Sequence, residues 1–347
     1  MVADAPSSSA PVSSSAPLSI EELHRSAFVV DAHADTPMRY LETPFDVGAR
    51  NDGGQVDFPR LKEGGVDAEF FVAYVPARYA ERGAAAYAHK AIALVHRMVD
   101  EHPDLAALAT STAEMRSVAA LGKRAILIGV EGGHAIEDSL DELRALYAEG
   151  ARYLTLTHTN TNHWADSSGD VAEHHGLTPF GEDVVREMNR LGMMVDVSHV
   201  SDETFYDVLR VTTAPIIASH SSARALCANK RNMDDDMLRA VGKNHGVVMV
   251  NFLNVFLSSA KKGEPVPLEV LIDHLEHVAK VAGIDAVGLG SDFDNKSGYP
   301  VGIEDVSRMP AITAALRARG FDDASIRKIL GENFLRVFAA VEAAAAR

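Results

Sequence analysis

Eight short runs of β-branched or apolar residues recur along the chain, separated by longer stretches of helical periodicity, and this alternation leaves few architectures open. The runs are Phe28 to Asp31, Glu69 to Tyr74, Ala125 to Val130, Arg152 to Thr157, Met193 to Ser198, Pro215 to Ser219, Val247 to Asn251 and Ala286 to Gly290. Helical patterns fill the intervals at 84–101, 139–149, 180–191, 203–210, 235–241 and 267–282, and a final helix is expected over 323–344. Eight strands with intervening helices predict a (β/α)8 barrel in one catalytic domain, residues 20–347. An open doubly wound sheet is the rival, but no run is followed by the Gly-rich phosphate turn that such a fold uses, neither GxGxxG nor GxxxxGK[ST]. Residues 1–19, mostly Ala, Ser and Pro, read as a disordered tail.

In a barrel of this kind the site lies where the strands end, so functional side chains should stand just after several different runs. Those positions hold His33 and Asp35, Glu131, His158, His199, His220, Asn251 and Asp292. In Phe28-Val-Val-Asp-Ala-His-Ala-Asp35 the histidine and aspartate are two apart, and an extended segment points both the same way. Alone, Asp35 reads equally well as a cap for the segment after it. Two further runs each end in Ser-His, at His199 and His220, which favours a shared ligand over isolated polar residues. Glu131 ends an apolar strand ahead of Gly132 and Gly133. A carboxylate buried there needs either a facing Arg or Lys, or a metal. His33, Asp35, Glu131, His199 and His220 make five donors, too many for one four-coordinate zinc with an open position. They suit two ions bridged by Glu131 and a shared hydroxide.

Composition narrows the chemistry. With 33 Lys+Arg against 49 Asp+Glu, the formal charge of −16 disfavours nucleic acid and anionic membrane surfaces as partners. The single cysteine, Cys227, can form no internal disulfide, which fits a reducing compartment, and a cytoplasmic enzyme is expected. Any metal must then be held by His, Asp and Glu.

The stretches Val30-Asp-Ala-His-Ala-Asp35, Gly129-Val-Glu-Gly-Gly-His134, Arg152 to His158 with Trp164-Ala-Asp166, Gly176 to Gly181, Asp196-Val-Ser-His-Val-Ser201, Ser219-His-Ser-Ser222, Lys230-Arg-Asn232 and Gly290-Ser-Asp-Phe-Asp294 together resemble the membrane or renal dipeptidase family of zinc peptidases, among the amidohydrolase-type barrels. The resemblance runs from about residue 20 to Phe338. It implies two Zn2+ per chain, one held by His33, Asp35 and Glu131, the other by Glu131, His199 and His220. It further implies that His158 binds the reacting carbonyl oxygen, that Arg231 binds the substrate's C-terminal carboxylate and that Asp292 carries protons. The expected substrate is a dipeptide, with a D-residue tolerated at the C-terminal position, and the expected assembly is a homodimer. Outside the resemblance, Arg231 could belong to a surface charge cluster with Asp234-Asp-Asp236, and Asp292 could be a loop cap. Two departures fall on the expected substrate wall: Asn251-Phe-Leu-Asn-Val-Phe256 where better-known members place tyrosines, and Ser291 and Asn295 in place of glycines. A metal-dependent deaminase or lactonase would usually carry HxH after the first strand. A metal-bound scaffold protein would not need Asp292.

Overall fold

A computed structural model describes residues 18–345 except Lys262. The tail expected to be disordered lies mostly in residues 1–17, outside the described residues; Ser19, expected to belong to that tail, instead caps the first helix, Ile20–Ser26, its hydroxyl accepting from the Glu22 backbone N–H while the Glu22 carboxylate accepts from the Ser19 N–H. Among the described residues nine strands follow: β1 Val30–Ala34, β2 Ala68–Tyr74, β3 Ala106–Leu108, β4 Arg124–Glu131, β5 Ala151–Thr155, β6 Met194–Asp196, β7 Ile217–Ala218, β8 Val247–Val250 and β9 Val287–Leu289. Eight of them run in parallel in the order β1-β2-β4-β5-β6-β7-β8-β9, and the circle closes where Ala34 pairs with Phe293 beyond β9. The architecture is the (β/α)8 barrel.

The eight expected runs match these eight strands to within a few residues. The ninth, β3, pairs with β4 outside the circle. Its Ala-Ala-Leu sequence carries no β-branched residue, so nothing local marks it as a strand. Helix starts are set by side chains: Thr178, Ser201 and Asp234 each accept from a backbone N–H in the first turn of Pro179–Leu191, Asp202–Val211 and Asp235–Lys243. The final helix departs from expectation. It is broken into Asp323–Arg327, a wide turn over Lys328–Glu332 and a second helix, Asn333–Ala345. Gly331 is the reason, because a Cβ there would lie 2.2 Å from the Phe28 carbonyl oxygen, so the chain must bend to pass beneath β1.

Outward-facing residues such as Ile126, Ile128, Val130 and Leu154 pack under the helices, while Ala125, Leu127, Tyr153, Met194, Ile217, Val247 and Met249 fill the barrel. Phe334 and Phe338 of the last helix join this inner cluster, Phe334 edge-on to Phe70 at 5.4 Å between ring centres. They seal the end where the strands begin. At the other end, strand register aligns Tyr74 with Glu131, Glu131 with Thr155 and Thr155 with Asp196, so four strands deliver polar side chains at one level.

Candidate active site

Of those aligned residues, Tyr74 and Glu131 line a cavity of about 330 Å³, together with Asp35, His158, His199, Asp292 and neighbours. His33 lies inside β1 rather than after it, fully buried, and Asp35 follows directly. Glu131 sits at the centre. Its Oε1 is 3.1 Å from His199 Nε2 and 3.3 Å from His220 Nε2, and its Oε2 is 3.8 Å from His33 Nε2.

The protons on these rings can be assigned from their neighbours. The Tyr153 phenol donates to the Ala32 carbonyl at 3.2 Å, so at the 3.0 Å contact with His33 Nδ1 it accepts. The Ser219 hydroxyl donates to the Asp196 carboxylate at 2.6 Å, so it accepts from His220 Nδ1 at 2.8 Å. Both imidazoles therefore carry the proton on Nδ1 and turn a bare Nε2 toward Glu131. His220 Nε2 also faces His199 Nε2 at 2.9 Å, and His33 Nε2 and Asp35 Oδ1 are buried with no hydrogen-bond partner. Acceptors crowded against acceptors are held together by a cation, and the arrangement fits one on each side of Glu131. Two groups of donors lie within reach of a common ion, His33 with Glu131 and His220, and Glu131 with His158 and His199.

Electrostatics point the same way. Burial, then the charges of Arg231 and His158, hold His33 well below the usual histidine range, and burial does the same to His199 and His220, so the rings are neutral. Burial, reinforced by Asp35 and Asp292, pushes Glu131 well above the carboxylate range, and burial with Asp292 does so for Asp35. Divalent ions reverse that penalty by compensating the carboxylate charge.

Each residue singled out from sequence is at this end of the barrel. Asp35 lines the cavity but stands outside both close donor groups, whereas His158, expected to bind substrate, is inside one. His158 stacks edge-on to Tyr74 at 4.6 Å, and burial brings its pKa down to about 3. Arg231 donates to the His220 carbonyl at 2.7 Å and to Ser221 Oγ at 3.0 Å, and its Nε is buried without a partner. Asp292 has a left-handed backbone, φ 60°, pinned by its N–H on the His33 carbonyl at 2.9 Å. Sequence reasoning missed the orienting groups Tyr153 and Asp196. Alternation in Met193 to Ser198 puts Asp196 on the inner face, the one signal that could have found it.

A (β/α)8 barrel with a binuclear donor cluster at its strand ends defines a metal-dependent hydrolase of the amidohydrolase type. Residues 18–347 match the family model described as membrane dipeptidase, peptidase family M19, and the chain belongs to that family. It is 40% identical over 324 residues to Dipeptidase 3 of Mus musculus, covering 90% of this chain and 64% of that protein, so it spans about two thirds of the relative's length. Among solved structures, dipeptidase AC, a family M19 metallopeptidase, superposes with a TM-score of 0.84 at 32% identity, covering 91% of this chain and 99% of the other. A metallopeptidase from Rhodobacter sphaeroides, liganded with a phosphinate mimic of the dipeptide L-Ala-D-Ala, superposes at 0.85 with 30% identity over the same shares. No helix among the described residues is long and apolar enough to cross a membrane.

Proposed function

We propose that this protein is a zinc-dependent dipeptidase that hydrolyses the peptide bond of dipeptides and accepts a D-residue at the C-terminal position. The observation that carries the reading is the facing of bare imidazole nitrogens and carboxylate oxygens around Glu131, beside a buried guanidinium at Arg231. The Rhodobacter relative, whose bound ligand mimics L-Ala-D-Ala, supports the substrate class. One zinc would be held by His33, Asp35 and Glu131 and the other by Glu131, His199 and His220. When bound, the ions supply an activated water near neutral pH and polarise the amide carbonyl.

The chain's own residues do the rest. His158, neutral and fixed against Tyr74, offers a ring N–H to the carbonyl oxygen as negative charge builds there. Arg231 binds the free α-carboxylate and so sets the length of substrate that fits. Asp292 takes the proton released by the attacking water and returns it to the leaving amine. The reading extends to a cytoplasmic homodimer, the second half of which light scattering on the purified chain tests.

The deciding experiment compares dipeptides with their C-terminal amides on the zinc-loaded enzyme. Wild type is expected to favour the acid by on the order of 10²-fold or more, since an amide gives the Arg231 guanidinium no carboxylate to pair with. L-Ala-D-Ala should be cleaved as well. Arg231→Met should lose the preference with its zinc retained. Equal wild-type rates on acid and amide would remove Arg231 from substrate binding.

A further inference from the structure

Asn251 ends the seventh expected run, directly after β8, and is completely buried. Its amide has only one orientation that satisfies its neighbours. Oδ1 accepts from the Leu253 backbone N–H at 2.7 Å, so Nδ2 is the end that meets Asp292 Oδ2, at 2.8 Å, where it must donate to the carboxylate. The other oxygen of Asp292 is held far more loosely. Asn295 Nδ2 reaches Asp292 Oδ1 only at 3.4 Å and divides itself with Asp35 Oδ2 at 3.5 Å, both at the limit of a hydrogen bond.

The backbone around Asp292 is fixed independently. Its N–H bonds the His33 carbonyl at 2.9 Å, and its own carbonyl accepts from the Tyr299 phenol at 2.7 Å. None of these contacts controls rotation of the carboxylate about its side-chain bonds. The short bond from Asn251 does, and by occupying Oδ2 it leaves Oδ1 on the side of Asp35 as the oxygen free to exchange a proton.

We propose that Asn251 is a positioning residue that orients the Asp292 carboxylate through its Nδ2–H···Oδ2 bond, an inference that rests on the reading of Asp292 as the proton carrier. Without the bond, the carboxylate samples orientations in which neither oxygen lies along the path from water to leaving nitrogen. Misplacement of a reacting group by about 1 Å costs on the order of 10²-fold. The loss belongs to kcat, because Asn251, at the start of the segment expected to wall the substrate, is itself fully buried and does not line the cavity as Leu253, Val255 and Phe256 do.

The test is a double-mutant cycle on the zinc-loaded enzyme, reading kcat, KM and zinc content for Asn251→Ala, Asp292→Asn and the pair. The expected result is a kcat lower by roughly 10- to 100-fold for Asn251→Ala, with KM and zinc content kept, and no further loss when the change is added to Asp292→Asn. Should Asn251→Ala not fold, Asn251→Asp carries the same cycle, since it keeps the acceptor for Leu253 and loses the donor. Three outcomes overturn the proposal. A near wild-type kcat for the Asn251 variant beside an impaired Asp292→Asn removes Asn251 alone. Losses that add in the pair show that Asn251 acts elsewhere. An Asp292→Asn enzyme that turns over at the wild-type rate removes the proton-carrier reading, and the role of Asn251 with it.

Discussion

Glu69 shows how much one residue can cost this fold. It lies on the outer face of β2, fully buried, and neither carboxyl oxygen has a partner. Burial, then the nearby charges of Asp31 and Asp294, pushes it well above the ordinary value of 4.5. Because the folded pKa stands above the unfolded one, the folded state pays nothing below about pH 4.5 and loses stability as pH rises toward the folded value. Glu69→Gln removes the titration and offers an amide donor close to Asp31 Oδ2, which also lacks a partner. We predict that it raises Tm by roughly 2–5 °C, from about 1–3 kcal/mol for relief of a buried unsatisfied group. The gain should be larger at pH 8 than at pH 5. Calorimetry at both values checks it, and a Tm that falls or a gain that shrinks with pH would refute the account.

At the scale of elements, the site depends on how closely β9 passes β7. A Cβ on Gly290 would lie 1.9 Å from the Ser219 carbonyl oxygen and 3.0 Å from Met249 Cβ, so the strands can approach only because that residue is glycine. Ser219 precedes His220, and Asp292 follows two residues after Gly290, so both halves of the chemistry hang on this approach. Gly290→Ala should cost about 3 kcal/mol as an overpacked site and reduce metal uptake, measured by thermal melts and metal analysis. Unchanged Tm and metal content would show that the strands can part without consequence.

The same elements explain what the sequence could and could not reveal. The barrel was legible because each inner strand is a short β-branched or apolar run set between helical patterns, and the donors were legible because strand ends expose them. Element edges were less so: β1 spans Val30–Ala34 rather than Phe28–Asp31, its later end taking His33 into the strand, since pairing with β2 rather than local propensity sets its limits. The break at Gly331 was hidden because it is imposed by Phe28, some three hundred residues away in sequence. The orienting roles of Tyr153, Asp196 and Asn251 were hidden for a related reason. A hydrogen bond between the inner faces of two strands leaves no periodic trace in either.

Across the whole molecule, the candidate donors come from β1, β4 and the segments just after β5, β6 and β7, so no single strand or adjacent pair of strands contains a complete centre. The helix Asn333–Ala345 adds no donor, yet Phe334 and Phe338 finish the inner core at the opposite end. On the ribosome, then, every residue proposed to hold a metal or carry a proton, through Asp292, is made before the helix that plugs the floor has been synthesised. The nascent barrel is a vessel built from its rim downward. We predict that ribosome-bound chains arrested just before Asn333, with the preceding residues outside the exit tunnel, are readily cut by protease, whereas chains extended past Ala345 resist. Equal resistance at both lengths would mean that the rim alone can close the barrel, and that translation need not finish before the fold does.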